Sequence, residues 1–369
     1  MNLKFAIINI WIYLSISPAT FSFELLASDS TGPIYFLGAT YHQGVIITDS
    51  PSLTSLAKSN PWMIQADFSV LKNTQQVWDY CNCYSKNGVS LSFTNFKDPE
   101  KLGTATSLIF FTEPYLYYSD KLQFSLRGGS GISYLTKVYN ADTNPENLFY
   151  GSPISFFLML NLNLYYSISP SWRASITGQF SHISNGGTKW PNYGMNYPTL
   201  AVGLDYNINP QQLSRRTSSP FTERSLKIII HPFGTVHKAE ANDSFAQERK
   251  LLLGVNAGVV KPLTRVNSLG LGGELYYDGL SEVFQARSGE SYSPWTGSFS
   301  LQHYIFFGKI LFGQQLAYAV TALNPDTNKK LYQRYFLEYK VRPDWYAGIT
   351  LKAYGGRSDY LAFTSGFVF

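Results

Sequence analysis

From residue 152 to residue 168 apolar and polar side chains alternate with a period of two. Ile154, Phe156, Leu158, Leu160, Leu162, Leu164, Tyr166 and Ile168 share one phase, and Ser155, Asn161, Asn163 and Ser167 share the other. A strand repeats every two residues and a helix every 3.6, so this stretch is a strand with one greasy and one polar face. It is well beyond the usual strand length of about five or six residues. A tilted membrane strand needs about ten, with the apolar row against lipid and the polar row toward a wet lumen.

The same pattern recurs along the chain. It predicts strands near 34–47, 62–72, 87–96, 104–118, 121–138, 152–168, 172–186 and 196–209, and then near 225–238, 250–263, 266–278, 295–307, 309–322, 331–343, 345–355 and 359–369. After the first two dozen residues, no apolar run approaches the roughly 20 residues of a membrane helix. Aromatics make up 16% of the chain and charged residues only 14%, against an ordinary charged share of about 25%. These features point to an all-β, antiparallel transmembrane barrel in a Gram-negative outer membrane and argue against a soluble β-sandwich. One continuous barrel of 14–16 strands leaves no open edge and is the favoured closure; two tandem eight-stranded barrels are the alternative.

Residues 1–22 read as a secretory signal peptide, with Lys4 followed by the apolar stretch Phe5 to Ile16 and small residues for cleavage. The expected division is 23–209 for a first set of strands, 210–224 (PQQLSRRTSSPFTER) for a connecting segment, and 225–369 for a second set. The alternating strand that ends at Phe369 resembles the signal by which outer-membrane barrels are recognised for assembly. Short connections, such as Ser169-Pro170-Ser171, alternate with long ones, such as 140–151 and 186–195. Outer-membrane barrels turn tightly on the periplasmic side and loop widely outside, which places 186–195 outside.

The formal charge of +5 comes without a long Lys/Arg block, so nothing supports nucleic-acid binding. Cys81 and Cys83 are the only cysteines. A disulfide across one residue is expected to be strained, and no second ligand pair supports a metal. His42, His231, His237 and His303 show no metal-ligand spacing, so neither a metal nor another cofactor is expected.

The chemistry concentrates in the 172–209 hairpin. Trp172, Ala174, Ile176, Gly178, Phe180, His182 and Ser184 share a phase, so His182 and Ser184 stand together on the apolar face. Asn196 is in phase with Pro198, Leu200 and Val202 on the next strand. Ester hydrolysis needs a nucleophile, a base and oxyanion donors. Ser184 fits the first role. His182, whose Cα is about 6.5–7 Å away, fits the second and can lean to hydrogen-bonding distance. Asn196, across the hairpin, can hold the imidazole tautomer. Asn185, Gly186, Gly187 and Asn192 are candidate oxyanion donors, although turn chemistry also explains such residues.

His182-Ile183-Ser184-Asn185-Gly186, with Pro191-Asn192 after it, resembles the His-x-Ser-Asn signature of the outer-membrane lipid A 3-O-deacylase family, in the long form often labelled acyloxyacyl hydrolase. The resemblance covers roughly residues 34–209. It implies removal of an ester-linked acyl chain from lipid A in the outer leaflet, with His182 as base and Ser184 as nucleophile. The family's acid, a Glu fourteen residues after the His, falls on Asn196 here. Outer-membrane phospholipase A also pairs His-x-Ser with an Asn, so a phospholipase is a second expectation and a non-enzymatic, porin-like barrel a third.

Overall fold

A computed structural model describes residues 32–48, 50–211, 213, 216–239, 244–289, 293–320, 330–355 and 357–369. The expected signal peptide and parts of the connecting segment lie outside the described residues. Each of the sixteen stretches expected to be strands is one. In the first half they are β1 (Ile34–Gly44), β2 (Trp62–Leu71), β3 (Ser85–Asn95), β4 (Thr104–Tyr118), β5 (Leu122–Leu135), β6 (Ile154–Ser167), β7 (Trp172–Ser184) and β8 (Met195–Asn207). In the second half they are β9 (Lys227–Ala239), β10 (Glu248–Pro262), β11 (Asn267–Asp278), β12 (Trp295–Phe307), β13 (Ile310–Ala319), β14 (Leu331–Arg342), β15 (Trp345–Tyr354) and β16 (Arg357–Val368).

The favoured single closure is corrected. The sheet closes twice, as β1–β8 and as β9–β16, all antiparallel. β8 returns to β1, with Phe36 opposite Asn207, and β16 returns to β9, with Val368 opposite Ile229. Alternation of side chains cannot distinguish one sixteen-stranded closure from two of eight, because both have an inside and an outside. The interior distinguishes them: an eight-stranded barrel is just wide enough for side chains to fill.

Both lumens are filled. In the first barrel Arg127 bonds Asp67 and Glu113, Lys86 lies 3.2 Å from Glu113, and Tyr165 donates to Glu113. Arg173 joins Asp205 to Tyr115. In the second barrel Arg334 pairs with Glu274, Lys352 with Asp359, and His231 Nδ1 lies 3.0 Å from Glu338. These charges sit in low-dielectric interiors and persist because each has a partner. Outside, Leu158, Leu160, Leu162 and Leu164 of β6 are exposed, while Asn161 and Asn163 between them are buried. The polar row lines the lumen and the Leu row forms the outer wall.

At the long-loop end of the first barrel an apolar cluster takes over. Ile183, Met195 and Tyr197 of β7 and β8 pack with Phe96, Leu102, Phe149 and Tyr150 from the loops. At the short-turn end a small helix, α1 (Gln75–Cys81), precedes Cys83, and Cys81 and Cys83 form a disulfide around Asn82. Asn82 takes a left-handed backbone (φ 53°), a conformation Asn tolerates better than most residues. A second helix, α2 (Leu280–Ser288), packs Leu280 and Val283 on Ala239 at the long-loop end of the second barrel.

The two barrels stand side by side in the same sense. At the long-loop end Lys238 of β9 donates to the Thr188 carbonyl (3.1 Å). At the other end Asn82 donates to the Ser219 carbonyl and Arg265 to the Asp79 carbonyl.

Candidate active site

Ile183 anchors the site. Its side chain is fully buried in the loop-capped core. Strand alternation therefore turns its neighbours His182 and Ser184 outward, on the row of the exposed Trp172, Ile176 and Phe180. His182 pairs directly with Asn196 of β8, and Ser184 with Phe156 of β6. His182 Nδ1 lies 2.7 Å from Asn196 Oδ1. An amide oxygen only accepts, so Nδ1 carries the hydrogen and Nε2 keeps its lone pair. Asn196 is itself held from its other side, where its carbonyl accepts the Ile47 N–H (2.9 Å).

Ser184 is buried beside the ring, but no direct hydrogen bond joins its hydroxyl to His182. The expected contact is thus absent from this conformation. The two groups instead border one point, the place where Gly194 has no side chain. A Cβ there would lie 2.7 Å from His182 Cε1, 3.3 Å from Nε2 and 3.4 Å from Ser184 Cβ. Gly194 has φ +73°, so glycine meets both the backbone and the steric demand. Its N–H donates to the Phe149 carbonyl (2.8 Å), which ties this floor to the buried core. The sequence pattern carried no sign of this role, which depends on how the loop folds back under the ring.

The loop after Ser184 divides the candidate oxyanion donors. The Asn185 N–H donates to Asn192 Oδ1 (2.9 Å), and the Gly187 N–H donates to Asn185 Oδ1 (3.0 Å). Asn185 Nδ2 donates to the Lys189 carbonyl (2.6 Å). These are turn-forming roles. The Gly186 N–H makes no such bond among the described residues, and Asn192 Nδ2 uses one of its two hydrogens on Ser358 Oγ (3.2 Å) of the second barrel. Among the described residues no His, Cys, Asp and Glu cluster is arranged to hold a metal ion.

The apolar surround comes from both barrels. A Cβ built on Gly186 would stand 3.6 Å from the Phe156 ring and 3.5 Å from Leu361 Cβ on β16. Sequence reasoning found no part for the second half of the chain, and nothing local in its sequence marks Ser358 or Leu361.

Residues 60–205 match the family model of lipid A 3-O-deacylase (PagL), and residues 227–369 match that of the acyloxyacyl hydrolase C-terminal domain. No curated protein matches the chain. Among solved structures, the outer membrane enzyme PagL aligns over 45% of this chain and 97% of its own, at 13% identity and a TM-score of 0.34. Neisserial surface protein A (NspA) aligns over 48% of this chain and 99% of its own, at 10% identity and a TM-score of 0.35.

Proposed function

Because residues 60–205 of this outer-membrane chain belong to the lipid A 3-O-deacylase (PagL) family and residues 227–369 to its acyloxyacyl hydrolase C-terminal domain, we propose that it is a serine esterase that removes the 3-O-linked acyl chain of lipid A. The observation that carries this reading is the outward-facing His182–Asn196 pair beside Ser184, on the barrel's apolar wall at the long-loop end. By the loop-length rule that end faces outward, where lipopolysaccharide forms the leaflet. A substrate ester then meets the site from the side, within the membrane, and needs no pore.

The residues divide the work as follows. His182 Nε2 takes the Ser184 proton, and Oγ attacks the ester carbonyl. Rotation about the Ser184 Cα–Cβ bond closes that pair, a contact that free enzymes often leave open until substrate binds. Asn196 keeps the proton on Nδ1 and adds no charge. A carboxylate in its place would stabilise the imidazolium further, as in charged triads, but would itself have to be desolvated at the bilayer wall. The Gly186 N–H and the remaining hydrogen of Asn192 Nδ2 are the donors left to hold the oxyanion. His182 then protonates the departing sugar hydroxyl, and water frees the acyl group from Ser184 by the same steps.

The test compares purified wild-type protein with Ser184→Ala on isolated lipid A, read by mass spectrometry. Wild type should remove one hydroxyacyl chain and Ser184→Ala none. Unchanged lipid A with correctly folded wild-type protein refutes the reading. Fatty acid released from phosphatidylethanolamine instead, with Ser184 still required, makes the protein a phospholipase.

A further inference from the structure

The second barrel touches the candidate site at its most sensitive point, the loop that follows the nucleophile. Four contacts converge there. Ser358 Oγ of β16 accepts from Asn192 Nδ2 (3.2 Å). The Asp359 carbonyl oxygen would lie 3.2 Å from a Cβ on Gly187, whose φ is +82°, so the approach is tight and the left-handed backbone favours glycine. Leu361 packs beside Gly186, and Lys238 of β9 holds the Thr188 carbonyl (3.1 Å).

Asn192 is the link between this docking and the chemistry. Its Oδ1 accepts the N–H of Asn185, the residue bonded to Ser184 (2.9 Å), while its Nδ2 reaches Ser358. An amide side chain free to rotate about its last bond would present Oδ1 or Nδ2 to that N–H. Only the oxygen can accept, and this orientation turns Nδ2 toward Ser358 Oγ, which accepts from it and so holds the amide from its far side. Through the Asn185 peptide this bears on where the next N–H, that of Gly186, points.

We infer that Ser358 is a positioning residue for hydrolysis at Ser184: the second barrel, through Ser358 and Asn192, holds the peptide that follows the nucleophile in the geometry the transition state needs. This inference rests on the esterase reading. It gives the second half of the chain a part in turnover, delivered by a side chain that never touches the substrate.

The experiment uses the full-length protein in detergent micelles with isolated lipid A. It measures kcat and KM together with amide hydrogen exchange in the 185–192 loop. Ser358→Ala is expected to lower kcat by about three- to tenfold, the worth of one net hydrogen bond, with KM unchanged and with faster exchange at Asn185 and Gly187. Ser358→Thr keeps a hydroxyl and should restore both readouts. Phe299→Ala, on the exposed wall of β12, should change neither.

Wild-type kcat and wild-type exchange in Ser358→Ala overturn the inference, and so does a Thr variant as impaired as the Ala variant. Hydrolysis that survives Ser184→Ala defeats the esterase reading instead. The exchange comparison then still decides whether Ser358 holds the loop.

Discussion

Asn196 Oδ1 stands 2.7 Å from His182 Nδ1, and the two residues face each other directly across the β7–β8 pair. The register of the hairpin builds this contact. A slip of one residue would turn one partner into the lumen. On the proposed mechanism, losing the amide leaves the ring free to choose its tautomer and tilt. Asn196→Ala should lower kcat by about ten- to a hundredfold, less than the roughly 10²–10⁴-fold worth of the base itself because the imidazole is still present, while KM and barrel assembly stay near wild type. Steady-state kinetics on lipid A checks this. Unaltered kcat would remove Asn196 from the site.

The same pair sets a pH dependence. As a base His182 acts only when neutral, and Asn196 carries no charge that titrates. Activity should therefore rise with pH as the imidazole loses its proton, then level off, giving a single acidic limb. A pH–rate profile on detergent-solubilised substrate reads this out. A limb that survives His182→Gln at a residual rate would have to belong to another group.

The strands were legible in the sequence because lipid outside and polar groups inside impose a period of two on every one of them. The Leu row and Asn row of β6 are the clearest instance, and the structure turns them to opposite sides of the wall. The placement of His182 and Asn196 was legible for the same reason, since phase and hairpin pairing are local. Closure was not, because it is decided by which distant edges meet. β8 meets β1, and the lumen this leaves is filled by Arg127, Glu113, Lys86 and Asp67 from neighbouring strands. Gly194 and Ser358 escaped for a related reason. One acts through a fold-back of the loop and the other through docking of a second barrel, and neither leaves a periodic trace.

The filled lumens bear on the porin-like alternative. In the first barrel the polar network runs from β2 through β8, and an apolar cluster closes the long-loop end. In the second barrel Arg334, Glu274, Lys352 and Asp359 cross the interior. The purified protein should give no steady ion conductance in a planar bilayer. Arg127→Ala leaves Glu113 and Asp67 buried without that partner, and should destabilise the barrel by about 3 kcal/mol, read as a lower denaturation midpoint. Stable open channels in the wild-type protein would contradict the closed interior.

Gly194 offers a separation of fold from chemistry. Its φ of +73° costs a non-glycine residue about 1–2 kcal/mol, and an added Cβ would lie 2.7 Å from His182 Cε1. The ring is the lighter party: it is partly buried at the outer wall, whereas the Gly194 backbone is tied to Phe149 of the buried core. Gly194→Ala should therefore displace the imidazole more than it disturbs the barrel. The expected result is a protein that assembles in the outer membrane and unfolds at slightly lower denaturant, yet loses more than about tenfold in kcat, since misplacement by about 1 Å can cost a hundredfold. Denaturation and kinetics measured on one preparation provide the check. If Gly194→Ala keeps full activity, the imidazole is not held where hydrolysis needs it, and the proposed base is the wrong residue.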